Sequence, residues 1–288
     1  HLSIRRQRQM CIRDRFKTSR QIRERVYKEL ETDTALRVED APSGEWMVSG
    51  RGELHLAILI ERMRREGYEF QVSRPQVITT KENGKTMTPY ERVLIEVPQD
   101  YSGIIMQKMG ERHGEMKDMT SDDNNIVYLE FEIATKDLFG YRSEFLTDTR
   151  GTGMMNRLFH AYAPYKGDIA GRRNGALISM EKGEAVPYAI WNLQDRGIMF
   201  IDPGSKIYEG MIVGEHSRDN DLEINLIKNK QLTNIRTTSK DEAIRLVPPL
   251  KMTLEQMISY IEYDELVEVT PKSLRLRKIA LDLSLIHI

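Results

Sequence analysis

The chain has 288 residues, 40% hydrophobic and 30% charged, a globular composition and not that of a disordered or membrane protein. Its 43 basic and 44 acidic residues give a formal net charge of −1, so any nucleic-acid site must be a local patch. Cys11 is the single cysteine, which excludes an intramolecular disulfide and fits a reducing, cytoplasmic setting, and no apolar run approaches the ~20 residues that cross a bilayer.

His1 to Arg15 shows neither a helical nor a strand period and carries no apolar core of a secretory signal. It reads as a non-native or disordered arm; the alternative is a basic arm whose arginines touch RNA phosphates. Thr18 to Gln21 matches a capping box, and Ile22, Val26 and Leu30 follow as one helical stripe. Leu36 and Val38, then Trp46 and Val48, alternate as a hairpin. A second helix starts near Glu53, with Leu56, Leu59, Ile60 and Met63 on one side, and Gly67 stops it. Tyr68, Phe70 and Val72 close this first domain, residues 16–80, as a strand. Residues 81–88 read as a linker.

A similar order then returns over residues 89–171. Tyr90–Val97 predicts a strand, Asp100 caps a helix, and Glu115–Met119 predicts a weak strand. Val127, Leu129, Phe131 and Ile133 alternate strictly as a further strand. Leu138–Tyr162 predicts a helix interrupted at Gly151 and Gly153, with Ala176–Met180 as a final strand that carries the domain to 180. The expected class is therefore α+β. Two ferredoxin-like β-α-β-β-α-β domains stand in tandem, the first lacking its opening strand. That absence predicts a loosely ordered first domain, because the Tyr68–Val72 strand would lack backbone partners. Residues 172–282 change texture to short strands broken by Gly, Asn and Asp. Tyr188–Asn192, Ile198–Ile201, Met211–Val213, Leu222–Asn225, Ile244–Val247, Glu265–Val269 and Leu274–Ile279 are the candidates. Thr253 and Gln256 cap one inserted helix, and the whole reads as a mostly β, barrel-like domain. Residues 283–288 read as a non-native tail.

Catalytic signatures are absent from the sequence. There is no P-loop, the six histidines are scattered, and Ser143, Ser217 and His216 form no nucleophile motif. His55 beside a helical stripe reads as structural. The pairs Gly50/Gly52 and Gly151/Gly153 read as a turn before a helix and a close helix–sheet contact. One stretch stands out electrostatically. From Ile227 to Lys240 the chain carries Lys228, Lys230, Arg236 and Lys240 and no acid, with Asn234 among the polar residues between them. Basic groups on a polar loop suit a phosphate backbone, and Asn, Gln and Thr reach sugars or bases. A solvated hairpin tip is the alternative. Arg172 and Arg173 form a second, smaller basic point.

Several ordered motifs carry a family resemblance. Ser49-Gly-Arg-Gly-Glu-Leu-His-Leu56 resembles the start of the second helix in domain III of translational GTPases, in its TypA/BipA form. Gly110-Glu-Arg-His-Gly-Glu-Met116 and Arg150-Gly-Thr-Gly-Met-Met-Asn156 resemble that family's domain V. Leu193-Gln-Asp-Arg-Gly197, Tyr208-Glu-Gly-Met-Ile-Val-Gly-Glu-His-Ser-Arg218, Lys230-Gln-Leu-Thr-Asn-Ile-Arg236 and Asp264-Glu-Leu-Val-Glu-Val-Thr-Pro271 resemble its C-terminal domain. Elongation factor G places a further domain between III and V, and LepA carries a different C-terminal domain.

The resemblance implies the ribosome-binding C-terminal part of a TypA/BipA-type GTPase, acting in ribosome assembly, translation and stress or cold adaptation. Its partners would be the bacterial ribosome, large-subunit rRNA and the A-site tRNA. Lys228, Lys230, Asn234 and Arg236 would make the RNA contacts, supported by Lys240, Arg172, Arg173 and Arg218. GTP and Mg would belong to an N-terminal domain of the parent protein, so neither catalysis nor a cofactor is expected of these residues. A monomer without membrane contact is expected. A protein-interaction module without RNA contact is the alternative.

Overall fold

The computed structural model describes residues 2–5, 19–41, 45–82, 84–164, 174–229 and 245–281. They form two compact units. One comprises Pro75–Ala170; the other joins Leu2–Arg74 to the chain from Gly171 onward.

The second unit opens with β1 (Leu2–Arg5), α1 (Ser19–Glu29), β2 (Arg37–Asp40), β3 (Trp46–Ser49), α2 (Glu53–Arg65) and β4 (Phe70–Ser73). The strand that the sequence reading treats as absent is therefore present. Leu2–Arg5 pairs antiparallel with β3 on one side, Ile4 opposite Trp46, and with β4 on the other, Ile4 opposite Val72. The residue order gave no sign of this, because four residues carry too little alternation to reveal a strand. Leu56, Leu59, Ile60 and Met63 of α2 and Ile22 and Val26 of α1 are buried with Phe70 and Val72, as their helical spacing predicts.

The first unit contains β5 (Thr80–Glu82), β6 (Lys85–Pro98), α3 (Gln99–Glu111), β7 (Glu115–Ser121), β8 (Ile126–Ala134), α4 (Tyr141–Asp148) and β9 (Met154–Pro164). Its strands run β9-β6-β8-β7, with β5 at the start of β6. Val93, Ile95 and Val97 of β6 and Val127, Leu129, Phe131 and Ile133 of β8 pack on Ile105 and Met109 of α3 and on Tyr141 and Phe145 of α4. Here the expectation of a long interrupted helix is corrected. The helix ends at Asp148, Arg150 and Gly151 take positive φ, and the chain returns as β9. Its apolar residues Met154, Leu158, Phe159 and Tyr162 are exposed, so they form no buried stripe that could distinguish strand from helix. The final strand of this unit is thus β9, and Ala176–Ser179 belongs elsewhere.

The remaining elements are β10 (Ala176–Ser179), β11 (Gly183–Glu184), α5 (Pro187–Leu193), β12 (Gly197–Met199), β13 (Lys206–Ile207), β14 (Met211–His216), β15 (Leu222–Ile224), α6 (Leu254–Tyr260), β16 (Glu265–Val269) and β17 (Leu274–Lys278). Among the described residues they do not close a barrel. Apart from β11 and β13, which pair with each other, the strands join one open sheet in the order β15-β10-β14-β17-β16-β4-β1-β3-β2, with β12 also on β14. The seam is β16 on β4, where Val267 faces Val72 and Val269 faces Phe70. β4 therefore has hydrogen-bonded neighbours on both edges, which removes the premise for a frayed first domain. The residues 16–80 and 172–282, delimited separately from sequence, share this sheet and one core.

Both faces of the sheet are covered at β10. Ala176 and Ile178 pack toward α6, where Leu254, Ile258 and Ile261 meet the α2 side, while Leu177 packs toward Ala189 and Ile190 of α5. This is why β10 reads as an uninterrupted apolar run rather than an alternating one. Residues 188–192, expected as a strand, are helical because Pro187 sits at the first helical position with its φ already set. Residues 245–247, expected within a strand, are not part of a helix or strand. The capping box at α6 is present as expected: Thr253 Oγ1 accepts from the Gln256 amide, and the Gln256 side chain accepts from the Thr253 amide.

Candidate nucleic-acid interface

Two of the sequence-selected RNA-contacting residues, Arg218 and Lys228, lie among the described residues. Arg218 sits in the turn that follows β14. Its carbonyl accepts from the Gly175 amide at 2.7 Å, and the neighbouring Ser217 amide donates to the Arg196 carbonyl at 2.8 Å. Beneath the turn His216 is buried, and its Nδ1–H donates to the Asn220 carbonyl at 2.6 Å. These bonds fix the backbone and leave the Arg218 side chain exposed.

Lys228 follows β15. The Leu226 carbonyl accepts from the Val186 amide at 2.9 Å, the Asn225 side chain accepts from the Ile227 amide at 3.1 Å, and Asn225 Nδ2 donates to Glu181 at 3.0 Å. The chain is thus anchored up to Ile227, after which Lys228 and Asn229 are exposed. The structure does not bring Arg218 and Lys228 together. They flank opposite ends of β15, which runs parallel to β10 from Leu222 opposite Leu177 to Ile224 opposite Ser179. Lys230, Asn234, Arg236, Lys240, Arg172 and Arg173 lie outside the described residues.

The return of the chain at Arg245 has an anchor that the sequence reading missed. Gln194 Nε2 donates to the Arg245 carbonyl at 3.2 Å, and Gln194 Oε1 accepts from the Val247 amide at 3.0 Å. One side-chain amide thereby mimics a strand neighbour for two backbone groups. Gln194 stands in the Leu193-Gln-Asp-Arg-Gly197 motif, so its position was visible although its partner was not. A further bond, from the Leu250 amide to the Met199 carbonyl at 2.8 Å, holds the segment to β12.

Residues of two other motifs make contacts within the fold. His55 Nδ1 accepts from the Arg51 amide at 3.2 Å, which requires its Nε2 to carry the proton donated to Asp33. That bond holds the Asp33 carboxyl below its ordinary range. A side chain at Gly50 would place Cβ 2.8 Å from His55 Nδ1, so the glycine is needed for this approach. In the first unit Arg112 donates to the Asp137 carbonyl at 2.9 Å, pairs with Glu144 at 2.8 Å and lies over the Tyr141 ring. A Cβ at Gly153 would meet the Phe145 ring at 2.6 Å, the close helix–sheet contact expected there. Among the described residues no group of three or more His, Cys, Asp or Glu side chains is placed to hold a metal. No helix among them is long and apolar enough to cross a membrane.

Comparison with known proteins finds three family matches in succession along the chain. Residues 13–74 match the model for elongation factor G domain III, residues 85–173 that for the elongation factor G C-terminus, and residues 174–283 that for the TypA/BipA C-terminal domain. Relatives named large ribosomal subunit assembly factor BipA are 52% identical in Synechocystis sp. and 50% identical in Bacillus subtilis, each over 92% of this chain. The Escherichia coli K12 relative of the same name is 49% identical over 92% of the chain. The chain spans 45% of the length of the Synechocystis relative and 44% of the Bacillus one. With three family domains matched in order and about half of the residues identical, the chain belongs to the TypA/BipA family of translational GTPases and represents its C-terminal portion.

Proposed function

We propose that this chain is the ribosome-docking part of a translational GTPase that acts in assembly of the large ribosomal subunit. The observation that carries this reading is the identity of about half of its residues with relatives named as large-subunit assembly factors. GTP hydrolysis belongs, in this reading, to the whole protein, which works in the cytoplasm as a monomer under stress or cold. The two β-α-β-β-α-β runs act as ferredoxin-like platforms. The segment from Lys228 to Lys240 supplies contacts to large-subunit rRNA or the A-site tRNA end, with Lys230, Asn234 and Arg236 at its centre. Lys240, Arg218, Arg172 and Arg173 add positive charge. Support comes from Lys228, which is exposed where anchored backbone ends, and from Gln194, which fixes the returning chain. Basic side chains beside anchored backbone suit phosphates, because the anchored residues have little conformational freedom left to lose on binding.

Co-sedimentation with purified bacterial large subunits tests the reading. Binding should weaken as salt rises, and Lys228→Ala, Lys230→Ala and Arg236→Ala together should lower the log–log salt slope by roughly one unit for each phosphate that is no longer neutralised. A slope unchanged by the triple variant would make the segment a solvated tip. Binding insensitive to salt and nuclease would instead indicate a protein-interaction module.

A further inference from the structure

Among the described residues, the sheet of the unit Pro75–Ala170 has helices on one face; the other face is open and shows an unusual mixture. Three rows cross it. Met154, Glu96, Tyr128 and Thr120 stand opposite one another, followed by Asn156, Leu94, Glu130 and Asp118, then Leu158, Arg92, Glu132 and Glu115. Met154 is 57% exposed, Leu158 55% and Tyr128 41%. Neighbouring strands lie about 4.8 Å apart, so these apolar groups and Leu94 form one patch rather than scattered points. Exposed apolar surface of this kind on a sheet is characteristic of a contact site.

The charges around the patch have a clear sign. Glu96, Glu115, Asp118, Glu130 and Glu132 face Arg92 and Lys117 as the permanent cations of the face. Arg92 pairs with Glu130 at 3.0 Å, and Lys117 bridges Glu115 at 2.8 Å and Glu132 at 3.2 Å. His160 Nε2 lies 4.0 Å from Glu132. Glu96 and Asp118 have no ionic partner among the described residues. A phosphate backbone laid here would meet carboxylates at contact distance, which is strongly unfavourable.

We infer that this open face docks a Lys/Arg-rich protein segment bearing apolar side chains, and not RNA. Methylene stems and apolar groups of such a segment cover Met154, Leu94, Tyr128 and Leu158, while its cations complete Glu96 and Asp118. The inference rests on the ribosome-docking reading for where the partner is found, and adds to it a protein contact on a different unit from the basic segment.

The test uses the whole chain with a photo-crosslinking amino acid in place of Leu158, bound to purified large ribosomal subunits. Adducts should resist nuclease, be lost to protease, and map by mass spectrometry to a net-basic stretch of a subunit protein. Adducts to rRNA alone, to a second copy of this chain, or none from subunit-bound protein would overturn the inference. Charge reversal supplies a signed readout. Glu96→Lys with Asp118→Lys, both on the solvent side of the sheet, should weaken subunit binding about fivefold or more. An RNA partner would instead bind the reversed face more tightly, and tighter or unchanged binding would exclude the proposed partner. The neutral pair Glu96→Gln with Asp118→Asn should fall between wild type and reversal if charge is the cause. If the unaltered chain fails to co-sediment at low salt, the ribosome reading falls, and this surface falls with it.

Discussion

Lys278 shows how much of this molecule turns on single buried charges. Its side chain is 4% exposed, yet its ammonium reaches Asp221 at 2.6 Å, Asp264 at 2.8 Å and Glu265 at 3.0 Å. Burial alone would push the ammonium toward deprotonation; the three carboxylates outweigh it and hold it well above its ordinary range. Asp221 in turn accepts from the Ala176 amide at 2.6 Å, so the cation ties β17 to β16 and to the start of β10. Lys278→Met should remove the ammonium that buried Glu265 shares with Asp221 and Asp264 and cost roughly 3–5 kcal/mol in urea unfolding, with Lys278→Arg costing less. A loss within about 0.5 kcal/mol would show that water replaces the ammonium. None of this was legible in sequence, where Lys278 merely ends a strand, because its acid partners come from separate segments. Lys228 stood out by charge and polar context and Arg218 within a resemblance motif, and both are exposed; that they flank opposite ends of β15 was not visible, since spacing along the chain says nothing about direction in a sheet.

At the scale of elements, legibility followed burial. The stripes of α1 and α2, the alternation of β8 and the capping box of α6 were visible because one face of each is buried. The α6 cap gives a simple check: Thr253→Ala should cost about 1 kcal/mol, as measured by thermal or urea unfolding, by removing the acceptor of the Gln256 amide. β9 was misread because its apolar residues point to solvent, α5 because seven residues are too few to show a period, and β1 because an alternation of only four residues, Leu2-Ser3-Ile4-Arg5, is too short to stand out. β1 has the larger consequence. It lies between β3 and β4, so deleting residues 1–5 strips one hydrogen-bonding edge from each. Amide hydrogen exchange should accelerate at Trp46–Ser49 and Phe70–Ser73, while β16 continues to protect the other edge of β4. Unchanged exchange at Trp46–Ser49 would mean that β3 holds its place through β2 and the α2 core alone.

For the whole molecule, the near balance of acids and bases decides behaviour toward pH. Glu61 accepts hydrogen bonds from Arg64 at 2.7 Å and from Arg65 at 2.8 Å, which hold its carboxyl down to about 2 from an ordinary 4.5. Asp40 is lowered by Arg23. Asp122 is lowered by the Ile126 and Asn124 amides. Glu144 is also lowered, because Lys108 and Arg112 together outweigh its burial. A carboxyl with a depressed folded pKa contributes stability that is complete above its unfolded value and is lost as pH falls through the folded one. Glu69 opposes the trend, since burial and the nearby Glu268 push it up, so protonation relieves it as pH falls. The depressed groups are more numerous and occur in both compact units, so their sign prevails. Thermal unfolding should be nearly constant from pH 7 to about 5 and move to lower temperature from about 4.5 toward 2. Glu61→Gln tests the assignment within that window: it should lower the melting temperature near neutrality and narrow its difference from wild type below pH 3. A constant difference across the range would place the acid response elsewhere in the molecule.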